Sequence, residues 1–115
     1  MFKTPTAGTA ALLLLALSIP LPALADDDAK IQARIGMWGK ACKNKAAEQF
    51  GAPMSAIRVS VGATLQTSID AGEMSLQDIE QYGLSFNWEV EHGGKKALGY
   101  CNTDGDGKVT EFQQQ

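Results

Sequence analysis

The chain has a single histidine, only two cysteines, and no apolar run long enough to cross a bilayer. Each shortage removes a class of function. His92 has no second imidazole to work with, and it stands beside Gly93-Gly94, where a solvated turn residue is expected. Two cysteines that lie far apart make no C-x-x-C redox motif, and with one histidine they are too few ligands for a zinc site. No serine sits in a nucleophile elbow. Basic residues number ten against thirteen acidic, a net charge of −3, and they form no stripe, so nucleic-acid binding has no electrostatic footprint. Glu89 and Glu91 would share one side of a strand, where two carboxylates can act as acid and base. Alternation puts them on the solvent side, as part of a polar sheet surface. The sequence therefore points away from an enzyme.

The apolar run that is present, Ala10 to Leu17 (AALLLLAL), is under half of the roughly 20 residues a membrane-spanning helix needs. Lys3 precedes it, and Ala23-Leu24-Ala25 follows as an A-x-A cleavage sequence. This is the three-part pattern of a secretory signal. No arginine pair precedes the run, and no cysteine follows the cleavage position for lipid attachment. Residues 1–25 are expected to be a cleavable signal peptide and 26–115 a single mature domain, periplasmic or secreted, with no retained membrane anchor. Removal of Lys3 leaves nine basic residues against thirteen acidic ones.

Export gives Cys42 and Cys101 an oxidising environment, and two cysteines separated by most of a small domain are then expected to pair. Closing a loop of roughly sixty residues stabilises by about 4 kcal/mol in the chain-entropy model. Small domains bury a modest share of their surface and commonly carry such a staple.

Asp26-Asp27-Asp28 should open a helix, where carboxylates cap free N–H groups and complement the dipole. Ile31, Ile35, Trp38, Cys42, Ala46 and Phe50 recur at steps of three and four, which puts them on one helix face, and Gly51 with Pro53 is a stop signal. Gly36 and Gly39 each cost about 1 kcal/mol in a helix interior; they mark either fraying before Trp38 or close packing on another backbone. From Ile57 the period is two, with Ile57, Val59, Val61, Ala63 and Leu65 on one side of an expected strand. Asp70-Ala71-Gly72 reads as a turn. Ser75 and Asp78 resemble a capping box, and Gly83 a C-terminal cap, which predicts a short helix between them.

A second alternating run, Leu84, Phe86, Trp88 and Val90, leads through His92-Gly93-Gly94 into a partner strand from Lys95 to Cys101. Asn102 to Gly107 is a further turn, Lys108 to Phe112 a last strand, and the three terminal glutamines are expected to fray. The fold class is α+β: an N-terminal helix packed on an antiparallel sheet of about four strands, with a short second helix and one disulfide between the layers. If Cys101 faces the helix, Ala97 and Gly99 do so too. Leu98 and Tyr100 then face away, and with Phe112 they form a candidate partner surface. The alternative is a β-bulge near Gly99 that turns these side chains inward, or a scattered surface.

Asn102, Asp104 and Asp106, followed by Gly107 and an apolar Val109, match the first half of an EF-hand loop, in which oxygens at alternate positions converge on calcium. Position one is Asn rather than Asp, position twelve is Gln113 rather than Glu, and too little chain remains for an exiting helix. Asp-Gly pairs also favour plain tight turns. Both readings stay open, a structural turn without cofactor or a weak calcium site.

Phe86-Asn87-Trp88-Glu89-Val90-Glu91, a glycine turn, a second strand and then Asp104-Gly105-Asp106-Gly107-Lys108-Val109 together resemble the end of a PepSY-type domain. The resemblance covers residues 84–112, with Cys101 and Asn102 in place of the Val-Asp usual at that turn. It implies a small exported α+β domain that inhibits or regulates extracytoplasmic proteases. The chain is also similar to small secreted bacterial proteins with one helix cysteine and one strand cysteine. The expected activity is binding of a protein or cell-envelope partner.

Overall fold

The computed structural model describes residues 20–115. The charged start and apolar run of the expected signal peptide lie outside the described residues. Helix α1 spans Pro20–Phe50 and is followed by a 3-10 turn, Met54–Ala56, and strand β1, Ile57–Val61. Helices α2 (Ala63–Asp70) and α3 (Leu76–Tyr82) come next. Strands β2 (Ser85–His92), β3 (Lys95–Thr103) and β4 (Val109–Gln114) complete the chain. The four strands form one antiparallel sheet in chain order, and α1 lies across one of its faces.

The face of α1 read from the sequence is the face that packs. Ile31, Trp38, Cys42 and Ala46 are buried, and Ile35 and Phe50 pack partly against the same cluster. The helix runs unbroken through Gly36 and Gly39, so the glycines do not fray it. At Gly39 a β-carbon would sit 3.3 Å from the Phe86 ring, which is the close approach that a missing side chain admits. Termination follows the stop signal. Gly51 takes φ +60°, and Ala52 N–H donates to Ala47 O at 3.1 Å, the long bond of a Schellman cap. The start differs from expectation, since Asp26-Asp27-Asp28 lie inside a helix that begins at Pro20. Cleavage before Asp26 would return them to its first turn.

The β1 expectation needs a correction. The alternating pattern suggests a strand to Leu65, whereas β1 stops at Val61 and Ala63–Asp70 is helical. The reason lies in the partner. Val61 pairs with Phe86, and β2 begins one residue earlier at Ser85, so beyond Gly62 no strand remains to accept hydrogen bonds. The backbone satisfies itself locally instead: Gln66 N–H bonds Gly62 O at 2.9 Å, and Leu65 and Ile69 still reach the core from α2. The predicted turn follows, with Gly72 at φ +76°.

Helix α3 carries the expected capping box. Asp78 N–H donates to Ser75 Oγ at 3.1 Å, and Ser75 N–H donates to Asp78 Oδ2 at 3.0 Å. These bonds from Ser75, the backbone one foremost, hold the Asp78 carboxyl below its ordinary 3.8. Gly83 ends the helix at φ +82°, where a side chain would strike the Thr103 carbonyl. Gly93 and Gly94, both at positive φ, close the β2–β3 hairpin as expected.

Register decides the sheet's inner face. Phe86 pairs with Cys101, Trp88 with Gly99 and Val90 with Ala97. The disulfide Cys42–Cys101 joins the layers, with Cα atoms 6.0 Å apart and both residues fully buried. Trp88 lies over Gly99 and stacks against Phe112, ring centroids 4.7 Å apart and planes at 4°, with Phe50 tilted against it at 5.3 Å. Its Nε1–H donates to Tyr100 O at 3.1 Å, so the one polar atom of the indole is satisfied. A β-carbon at Gly99 would collide with this ring and with the Gln113 carbonyl.

The terminal glutamines are not frayed. Gln113 and Gln114 pair with Tyr100 and Gly99, and Gln115 N–H donates to Leu98 O at 2.8 Å. The nine-residue β3 is long enough to give them partners.

Candidate functional site

The helices cover one face of the sheet, and the other carries its own order. Register places Arg58 opposite Glu89, Leu98 next in line on β3, and Tyr100 and Asn102 between Asn87, Ser85 and Glu111. Two polar clusters result. Glu89 Oε1 lies 3.4 Å from an Arg58 guanidinium nitrogen and 3.2 Å from Lys96 Nζ. Farther along, Tyr100 Oη–H donates to Glu111 Oε2 at 3.1 Å and Asn102 Nδ2–H to Glu111 Oε1 at 2.9 Å, while Ser85 Oγ–H donates to Asn102 Oδ1 at 2.6 Å. The bond to Glu111 raises the Tyr100 phenol above its ordinary 10.0. Leu98, 44% exposed, stands between the clusters.

The candidate surface Leu98, Tyr100 and Phe112 is therefore divided. Leu98 and Tyr100 share the outer face, and no bulge turns them inward, because β2 and β3 stay in register through Gly99. The irregularity falls one strand over, at Asn102/Thr103 against β4, which leaves Thr110 unpaired. Phe112 pairs with Cys101 and stacks on Trp88, so it belongs to the inner face. Alternation along one strand showed the Leu98/Tyr100 pair; the parity of β4 depended on the bulge and could not be read that way. Glu111, which holds Tyr100 and Asn102 in place, was missed for the same reason, and Ser85 because its contact with Asn102 depends on the pairing of β2 with β3.

Of Asn102, Asp104 and Asp106, the first two are engaged by neighbouring groups. The Asn102 amide is engaged on the outer face by Ser85 and Glu111. Asp104 Oδ1 accepts the N–H groups of Asp106 and Lys108 at 2.9 and 3.0 Å, and these bonds, that from Lys108 foremost, hold its carboxyl below the ordinary 3.8. No group of three or more His, Cys, Asp or Glu side chains converges among the described residues. The turn has close structural neighbours. Gly107, at φ +85°, lies directly against the Trp38 indole, and a side chain at Gly105 would strike the Glu80 carbonyl of α3. The Asp-Gly repeat thus wedges the β3–β4 hairpin between α1 and α3.

His92 is exposed at the hairpin turn, and Glu91 is exposed beside Lys96 on the adjoining strand. Among the described residues no helix is long and apolar enough to cross a membrane. No family model, curated protein or solved structure matches the chain.

Proposed function

We propose that the protein is an exported binding domain, periplasmic or secreted, that contacts a protein or cell-envelope partner through the outer face of its sheet and carries out no chemistry of its own. The observation that supports this reading is the outer face itself, which no helix covers among the described residues. Leu98 and Tyr100 sit among side chains already held by hydrogen bonds and ion pairs, so little freedom is left to lose when a partner docks. The buried disulfide suits an oxidising compartment, as does the signal pattern of residues 1–25. The PepSY resemblance of residues 84–112 makes an extracytoplasmic protease the first partner class to try.

The test is capture from envelope extract by the immobilised protein, repeated with Leu98→Ser/Tyr100→Ser. Both side chains lie off the core, so the variant is expected to keep its melting behaviour while losing the captured partner. Capture that is equal for both proteins would sink the surface.

Calcium binding by Asn102, Asp104 and Asp106 makes a separate expectation. In the reading proposed here Asn102 serves the outer face and Asp104 braces its own turn, so millimolar calcium is expected to leave the melting temperature unchanged. A rise that saturates with calcium and disappears in Asp104→Asn would reinstate the metal site.

A further inference from the structure

We infer that the free edge of β1 is a slot for strand addition, and that its occupant is an extended acidic segment of a partner protein. The inference rests on the reading of the sheet as a binding surface and names how, and by what, part of it is engaged. Among the described residues strand β1 is outermost and pairs with β2 alone. Gly62 N–H donates to Ser85 O at the end of the strand, so by antiparallel alternation Arg58 and Ser60 bond β2 while Val59 and Val61 turn their N–H and C=O groups to the open edge.

A groove flanks this edge on each side. The inner one, about 400 Å³, runs between α1 and β1 over Ile35, Met54, Val61 and Phe86. Gly36 and Gly39 line its helix wall, and a β-carbon at Gly36 would meet nothing within 4 Å. The outer one, about 750 Å³, runs over Asn87 and Leu98 beside Arg58. The two share Lys43, Val59 and Ser60, so they meet along the strand. An added strand sends alternate side chains to opposite faces. Here one set would enter the inner groove, where Lys40 and Lys43 stand beside Ile35, Val61 and Phe86, and the other the outer groove over Asn87 and Leu98, the arrangement by which strand addition gains specificity beyond its main-chain bonds.

Charge selects the occupant. Lys40 and Lys43 line the inner groove and make no ion pair among the described residues, whereas Arg58 on the outer side is already paired with Glu89, which lines that groove too. This cationic edge belongs to a chain of net charge −3. A second copy paired edge to edge would set these cations against their own kind, which disfavours it. Residues 1–19 contain no Asp or Glu, so the chain's own leader does not match. An extended segment alternating apolar and acidic residues, with its acidic side toward Lys40 and Lys43, does.

The test uses the folded, oxidised protein and two short synthetic peptides, one alternating valine with glutamate and the other valine with lysine. The glutamate peptide is expected to bind, to slow amide exchange at Val59 and Val61, and to shift the resonances of residues 57–61. The lysine peptide should do neither. Lys40→Glu/Lys43→Glu, both surface changes, should reverse the preference. Equal binding of both peptides, absence of binding, or shifts confined to residues outside 57–61 and the two grooves would overturn the edge assignment. The outcome for the wider surface is read separately by envelope capture with Leu98→Ser/Tyr100→Ser, so the two can fail independently.

Discussion

Replacing Cys42 and Cys101 together by alanine is expected to lower the unfolding free energy by about 4 kcal/mol. The bridge closes a loop with a sequence separation of 59, and the unbridged chain regains the entropy that this closure removes. The sulfurs are also core atoms, since both cysteines are fully buried between α1 and the sheet, and alanine leaves unfilled space there. Small domains have a total stability of about 5–15 kcal/mol, so the loss is a large part of the whole. Urea unfolding of the double variant checks it: the midpoint should fall steeply, and the slope should rise because the unbridged denatured chain exposes more surface. Reductant alone is a weaker probe, because the bond is shielded until the layers part. A variant with an unchanged midpoint would mean that helix and sheet hold together without the clip.

The second large effect is expected at Trp88. Truncation to alanine should cost about 4 kcal/mol, the range measured for large aromatic residues removed from cores. Trp88 is 1% exposed and packs against both Phe112 and Phe50, the last residue of α1. Its loss also leaves the Tyr100 carbonyl without the indole donor. Gly99→Ala attacks the same arrangement from below. The Trp88 ring can tilt to admit a methyl group, but the Gln113 carbonyl is backbone, so β3 and β4 would have to separate. A double-mutant cycle should therefore show incomplete relief: with Trp88 already truncated, Gly99→Ala still destabilises. Thermal melts of the four proteins decide this, and full additivity would contradict the contact.

Much of this architecture was legible in the chain, for reasons that differ by element. The inward face of α1 could be read because helix periodicity is a property of one segment, and Ile31 through Phe50 keep it without interruption. The α3 capping box and the Gly93-Gly94 hairpin were readable because each is satisfied within a few residues of itself. The end of β1 was not. Ala63 and Leu65 continue the alternation perfectly, and what stops the strand is that β2 starts at Ser85, a fact about another segment. Phe112 failed for a similar reason, since its side depends on Thr110 bulging out against Asn102. The site followed suit: Leu98 and Tyr100 were visible as a pair, whereas Glu111, Ser85, Arg58 and the cationic edge at Lys40 and Lys43 emerge only when strands and helix are laid side by side.

The sequence by itself determined the inward face of α1, the α3 cap, the hairpin turn, the α+β class and the pairing of Cys42 with Cys101, because periodicity, caps and turns act over a few residues and two cysteines allow one intramolecular bond. Only the tertiary structure decided which strand ends where, which face Phe112 joins, and that β1 lies open between two grooves. Those depend on hydrogen-bond register between distant segments, and a single segment carries no record of where its partner begins.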